Sequence, residues 1–372
     1  MKRYPAYDPP EYVNWAPDTA LVQAFAATPR KDPERRRLVD GLGETELLAL
    51  YAGLVRTRLH DVTLKRWVRT GVISKAWLGT GEEAATVGPV HALDRARDVV
   101  APMIRNAGAC SEMGMGVAES FRSYLATADA PSGGRDLHHG AMRANVLQPI
   151  SHVGDMVPVV AGVALASKIS GTAAQRDSGT GLPVALTWIG DGSTKAGVSH
   201  EGFNFAAVQR VPAIFIVQNN RVALGTRLEQ HHLPADFAEL PAAYGMWGAV
   251  FDGNNVLDAW AATRLAVDRC RSGDGPCMLI ANTFRMGGHA THDEREARAT
   301  FPAEWFDAWG KRDPVGLYEE YLKATLKDGL TRLDEAERQV EAEVLKAEAE
   351  ALESREKAVP AGDSALGGVY AS

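Results

Sequence analysis

The chain has 372 residues, 45% hydrophobic and 23% charged, with a net charge of −7 and a pI near 5.8. That is ordinary for a globular protein of one or two domains, and it leaves no basic stripe to neutralise nucleic acid. The longest near-continuous apolar stretch, Met156–Ala166, is far short of a membrane span; MKRYPAYDPPEYVNW lacks the apolar segment of a signal peptide; and Cys110, Cys270 and Cys277, with no CxxC pair, read as reduced thiols of a cytoplasmic protein.

Residues 1–44, rich in proline and charge, predict an extended arm. Thr45–Thr70 places Leu47, Leu48, Tyr51, Leu54 and Val55 on one helical face, with Thr45 as N-cap. A helix over Glu82–Leu93 leads to a short strand at Val99–Ala101, Pro131–Gly134 is a turn, and Val157–Lys168 is an apolar helix. Thr172–Leu182 reads as a polar surface loop. Pro183–Ile189 (PVALTWI) has the length and unbroken apolarity of a buried parallel strand, and Gly190-Asp191-Gly192-Ser193 ends it. Ser199–Arg210 is a helix with Phe203, Ala206 and Ala207 on one face. Ala213–Gln218 is the next strand and runs into Asn219-Asn220. A strand at Gly248–Phe251, a helix over Asn255–Arg271 and a strand at Cys277–Ala281 follow, the last delivering a loop with Arg285, His289 and His292. Thr331–Glu356 is a charged helix whose weak apolar stripe, Leu333, Val340, Val344 and Ala351, suits packing on the domain better than a coiled coil. Strands alternating with helices give an α/β fold with a parallel sheet covered on both faces. The organisation is an arm over 1–44, one α/β domain over 45–325, and a C-terminal helix and tail over 326–372.

Lengths then place two side chains together. A twelve-residue helix runs back roughly 18 Å at ~1.5 Å per residue, and the strand after it advances about 20 Å at ~3.3 Å per residue. Asp191 and Asn220 therefore finish side by side at the carboxyl ends of neighbouring parallel strands, where open α/β sheets bind ligands. A carboxylate, an amide oxygen and a backbone carbonyl suit a hard cation such as magnesium, which takes its remaining oxygens from phosphates and water. The plain alternative is that Asp191 and Asn219-Asn220 only form turns.

The segments GTGEEAATVG (79–88), SHVGDMVPVVAGVALA (151–166), the GDGS turn, HEGFNFAAVQRVPAIFIVQNN (200–220) and TFRMGGHATHDE (283–294) occur in one order. In that order they resemble the alpha subunit of the thiamine diphosphate-dependent decarboxylase component of 2-oxo acid dehydrogenase complexes, of the pyruvate, branched-chain or acetoin type. The resemblance spans roughly residues 45–325. It implies the thiamine diphosphate-binding fold, thiamine diphosphate and Mg2+ as cofactors, and oxidative decarboxylation of a small 2-oxo acid with transfer of the acyl group to a lipoyl domain. It also implies Asp191, Asn220 and the Val222 carbonyl as metal ligands. Arg105 would grip the diphosphate, Gly190 and Gly192 would form the turn beneath it, Ser193 would help hold its oxygens, and Ser151 and Val153 would offer backbone to the aminopyrimidine. Arg285 and His289 would stand at the active-site mouth as catalytic residues, His289 also as a phosphate contact and proton donor. No second domain carries the glutamate that activates the aminopyrimidine, so the resemblance implies a beta subunit in an alpha2-beta2 heterotetramer, and a lipoylated acyltransferase core beyond it.

Departures from the family pattern are Ile104 before the diphosphate arginine, Lys75-Ala76-Trp77 near the substrate, Ala290 in place of a phosphorylated serine, and Asp155-Met156 where some branched-chain enzymes bind potassium. Ile104 and Lys75 leave a cofactor-binding scaffold as the rival reading; acetoin cleavage is another. Gly190, Gly192 and Gly197 lack the GxGxxG spacing of a nicotinamide site. His138-His139 and His289 with His292 lack the companions of a transition-metal site. His200 reads as structural, and His231-His232 as surface residues.

Overall fold

The computed structural model describes residues 1–171, 181–234 and 236–367. Its centre is a parallel five-stranded sheet of β1 (Val99–Ala101), β2 (Ala185–Gly190), β3 (Ala213–Asn219), β6 (Trp247–Asp252) and β7 (Cys277–Asn282), in the order β1-β2-β3-β7-β6. The strips β4 (Val222–Ala223) and β5 (Thr226–Arg227) pair antiparallel just beyond β3. The central strands are runs of aliphatic and aromatic residues because both faces are covered; every residue of β3 is buried. Phe215→Ala in that strand would cost ~3–5 kcal/mol, as for a large buried aromatic.

Seven helices carry the layers: α1 (Glu44–Arg69), α2 (Glu83–His91), α3 (Met156–Ser170), α4 (Gly197–Gln209), α5 (Val256–Ser272), α6 (Pro314–Thr325) and α7 (Gly329–Lys357). On one sheet face, Val157, Val160 and Ala164 of α3 and Phe203 and Ala206 of α4 pack on Ile189, Phe215 and Val217. On the other, Val90 of α2 and Ala259, Ala262 and Ala266 of α5 pack on Leu186, Trp188, Ile214 and Ile216. Outside that layer, α1, α6 and α7 share a further core. There Leu333, Val340, Val344 and Ala351 are buried with Leu50, Tyr51 and Tyr318, so the terminal helix is packed on the domain.

Local chemistry sets the helix starts. Asn255 accepts the N–H groups of Leu257 and Asp258 and caps α5. The start of α1 differs from expectation. Gly43, not Thr45, is its N-cap, because the Glu46 carboxylate reaches back to the Gly43 N–H at 2.8 Å.

The amino-terminal segment is not an extended arm. Pro10–Val13, Thr19–Ala27 and Pro33–Asp40 are helical. Proline starts the first and third, and Asp18 and Asp32 cap the second and third through N–H groups of the first turn. Tyr12, Phe25 and Val39 are buried against the domain, which makes these short helices worth forming. The loop read at 172–182 falls, over 172–180, outside the described residues. Among the described residues no helix is long and apolar enough to cross a membrane. Cys110, Cys270 and Cys277 are free and buried.

Candidate functional site

At the end of β2 the chain turns through Asp191, whose Oδ1 accepts the Gly192 N–H at 2.7 Å, while Thr194 Oγ1 donates to the Asp191 carbonyl at 2.6 Å. Asp191 is 1% exposed, and its Oδ2 has no hydrogen-bond partner within the protein. Burial pushes its carboxyl above the usual range against the pull of Arg285 and Arg105. A Cβ on Gly192 would sit 2.5 Å from the Ala223 Cβ, so the second glycine is required for the β4 strip to cross the turn. At Gly190 the nearest atom to such a Cβ is 3.7 Å away, so no steric need fixes the first.

The end of β3 brings the amides. Asn219 Nδ2 donates to Asn282 Oδ1 on β7 at 2.9 Å, which ties the two strand ends. Asn220 is 3% exposed, and its Oδ1 accepts the Val222 N–H at 3.3 Å. Arg221 between them takes a left-handed backbone (φ 69°) that reverses the chain into β4.

Glu82, at the mouth of α2, was not singled out by any sequence motif read above. It is fully buried, and its Oε1 accepts Nδ2 of Asn220 and Nε2 of Gln218, both at 3.1 Å. Its Oε2 has no hydrogen-bond partner and lies 3.7 Å from Arg105 Nη1. Burial pushes its carboxyl up, opposed by Arg105 and Arg285. The legible signal was Glu82-Glu83 leading into the apolar run AATVGPV, an acid pair where a buried helix begins.

Arg105 comes from the Ile104–Asn106 turn and is buried. Its Nη2 meets His289 Nδ1 at 3.2 Å. Arginine can only donate, so Nδ1 accepts and the proton of the neutral ring sits on Nε2. Burial, then Arg105 and Arg285, hold His289 down to about 4, so the imidazole is neutral at pH 7. Arg285 is also buried. It donates to the carbonyls of Leu224 (3.2 Å) and Gly287 (3.3 Å), and burial with Arg105 nearby lowers it to about 10, still a cation at neutral pH. The loop between them is set by Asp293, which accepts the N–H groups of His289 (3.1 Å) and Ala290 (2.8 Å).

Arg105, Ser151, Val153, Gly190, Asp191, Gly192, Ser193, Asn220, Val222, Arg285 and His289 line one cavity of about 820 Å³. That is the size of a cofactor pocket. Ser151 and Val153 are exposed at its rim. Lys75 also lines it, with its Nζ 5.1 Å from the centre of the Trp77 ring.

Two histidines lie elsewhere than expected. His231 and His232 are not surface residues, because the short helix Leu228–His231 folds back over the GDG turn. His231 Nε2 is 4.0 Å from Asp191 Oδ2, and both its ring nitrogens are buried without a hydrogen-bond partner. His232 Nδ1 accepts from Lys195 Nζ at 2.8 Å while its ring stacks on Phe237. His138 pairs with Asp136 at 2.8 Å, and among the described residues no group of three His, Cys, Asp or Glu side chains is placed to hold a metal.

Comparison with known proteins shows the family of the chain. The dehydrogenase E1 component family matches residues 53–360. The chain is 32% identical over 335 residues to the 2-oxoisovalerate dehydrogenase subunit alpha of Bacillus subtilis (strain 168), covering 89% of this chain and 97% of that one. It is 30% identical over 293 residues to the pyruvate dehydrogenase E1 component subunit alpha of Staphylococcus aureus (strain Mu50 / ATCC 700699), covering 77% and 72%. A pyruvate dehydrogenase E1 component subunit alpha of Bacillus cereus is 30% identical over 289 residues, covering 76% and 71%. The chain belongs to the dehydrogenase E1 component family, which depends on thiamine diphosphate and magnesium. The residues present fit that pair. Asp191 has a buried carboxylate oxygen that no protein donor satisfies, Asn220 lines the same cavity with an amide oxygen, and two buried arginines supply positive charge for a diphosphate.

Proposed function

We propose that this dehydrogenase E1 component is the alpha subunit of a 2-oxo acid dehydrogenase, active only with a beta subunit in an alpha2-beta2 assembly that passes its acyl group to a lipoylated acyltransferase. One observation carries the assignment of the site: the buried, unpartnered Oδ2 of Asp191, in the same cavity as Asn220 and Arg105. A carboxylate oxygen held out of water without a donor is costly, and a bound cation offsets that cost.

Asp191, Asn220 and the Val222 carbonyl would hold magnesium, and Arg105 and Ser193 the diphosphate oxygens. Ser151 and Val153 would offer backbone groups to the aminopyrimidine. Thiamine diphosphate, when bound, supplies the carbon nucleophile and the electron sink for losing carbon dioxide from a 2-oxo acid. The protein contributes orientation and charge. Arg105 and Arg285 keep the mouth positive for an anionic substrate. His289, neutral with its proton on Nε2, donates a hydrogen bond from that atom without adding a third cation. Among the described residues, the two carboxylates lining the cavity are Asp136, already paired with His138, and Asp191, at the metal end. On this reading the acid for the aminopyrimidine end comes from the beta subunit.

The test is turnover of a panel of 2-oxo acids by the chain co-expressed with its beta subunit, with release of carbon dioxide as the readout. Turnover is expected with at least one 2-oxo acid in the pair and none from the isolated chain. Decarboxylation by the isolated chain, above an Asp191→Ala control, would overturn the two-subunit reading.

A further inference from the structure

An asparagine that binds a cation must solve a problem an aspartate does not have. Its amide has two ends of nearly equal size, and one of them is a donor that repels the ion. Something must hold the oxygen end toward the metal.

In this protein the group in position to do so is Glu82. An ionised carboxylate only accepts, so the end of Asn220 that contacts Glu82 Oε1 at 3.1 Å is Nδ2. The oxygen end is thereby turned away from Glu82, and Oδ1 receives the Val222 N–H. Gln218, on the same strand end, gives its own Nε2 to the same Glu82 oxygen at 3.1 Å, so two side-chain amides are oriented by one acceptor. The second oxygen of Glu82, free of hydrogen bonds, lies 3.7 Å from Arg105 Nη1. Glu82 is fully buried and does not line the cavity, so it acts through Asn220 and Arg105 rather than by touching a ligand. We infer that Glu82 is the positioning residue of the metal site, locking the Asn220 amide with its oxygen toward the cation and holding Arg105 over the same pocket.

This rests on the metal role proposed for Asp191 and Asn220. The experiment is calorimetric titration of Mg2+ into the full chain at saturating thiamine diphosphate, with a melting curve for each variant. Glu82→Ala should weaken Mg2+ binding at least about tenfold, as removal of a group that orients a ligand does. Asn220→Asp alone should also weaken it, because two carboxylates then meet where an amide bridged them. Combined with Glu82→Ala, the same Asn220→Asp change should restore affinity to within about threefold of the parent, since a carboxylate has no wrong end and no longer faces Glu82. That reversal of sign is not expected of a glutamate that merely supports the fold.

Parent-like affinity in Glu82→Ala, or a double variant no better than Glu82→Ala, overturns the inference. If Glu82→Ala does not fold, Glu82→Gln serves instead. It keeps an acceptor oxygen for both amides and should stay within about threefold of the parent, and a tenfold loss in the folded variant overturns amide locking. If Asp191→Ala binds Mg2+ as the parent does, the metal site itself is misassigned; if only the Glu82 variants are unaffected, the site stands and the positioning role falls.

Discussion

Glu83 turns toward Arg58, whose Nε donates to it at 2.5 Å, and its other oxygen accepts the Gly81 N–H at 2.8 Å. Glu82, one residue earlier and as deeply buried, turns the opposite way and leaves Oε2 without a donor. The contrast extends to the surroundings of each. Around Glu83, Asp313 accepts from Arg58 at 2.9 Å and from Arg3 at 2.5 Å, both its oxygens in use. In spite of its burial, Asp313 is held below the usual carboxylate range by Arg58 and Arg3. Around Glu82, Asp191 Oδ2, Gln218 Oε1 and Asn219 Oδ1 are buried without partners, and burial pushes Asp191 up. The first cluster ties the amino-terminal segment and α6 to α1 and meets all four oxygens of Glu83 and Asp313 within the chain, although Arg58 Nη1, 4.0 Å from Asp8 Oδ1, makes no hydrogen bond. The second keeps unmet polar capacity at the ends of β2 and β3, as a site for a charged ligand does.

The largest expected effect tests the unsatisfied cluster. Asp191→Ala should abolish Mg2+-dependent thiamine diphosphate binding while leaving the melting temperature of the ligand-free chain unchanged or higher, because a buried carboxylate with one unpartnered oxygen is removed. Calorimetry on the folded variant decides it, and unchanged cofactor affinity would remove the basis of the comparison.

Next is the satisfied cluster. Arg58→Ala leaves Glu83 and part of Asp313 buried without their cation and should lose about 3–5 kcal/mol of stability in urea unfolding. A loss under about 1 kcal/mol, as for a surface pair, would mean that this cluster too holds little.

A buried histidine outside both clusters carries the same logic into pH. His139, with Nε2 unpartnered, is pushed down to about 4 by burial. The unfolded chain, with a histidine pKa near ~6.5, therefore binds the extra proton first. The stability from its neutral form is complete above about pH 6.5 and is lost as pH falls toward about 4, up to roughly 3 kcal/mol in all. Unfolding measured across that window should be steeper for the parent than for His139→Gln, and equal slopes would show that His139 does not drive it.

The smallest expected effect lies at the mouth. His289→Ala should fold normally and lower turnover at least about tenfold, or ~1.4 kcal/mol of barrier. Its cofactor affinity should fall less than that of Asp191→Ala, because the metal ligands remain. Parent turnover in the co-purified enzyme would make His289 a bystander.

Much of this could be read from the residues. Largely apolar runs without polar alternation marked β2, β3 and β7, as expected of strands buried on both faces. The lengths of β2, α4 and β3 then required Asp191 and Asn220 to meet, since a parallel strand–helix–strand unit returns to the same sheet edge. The amino-terminal helices were half legible: Asp18 and Asp32 are ordinary caps, but burial of Tyr12, Phe25 and Val39 against distant elements decided that the segment folds. Glu82 was legible only as one of an acid pair ahead of an apolar helix, with nothing to tie it to the metal motif, and His231 was not legible as a site residue. Neither belongs to the strand–turn–helix unit that carries the metal motif, and each arrives through packing, Glu82 at the start of α2 and His231 on a helix folded back over the turn. Periodicity, caps and element lengths act between near neighbours and are written in the sequence. The partners of a buried charge depend on which distant surfaces share one dry space, and that the tertiary structure alone decides.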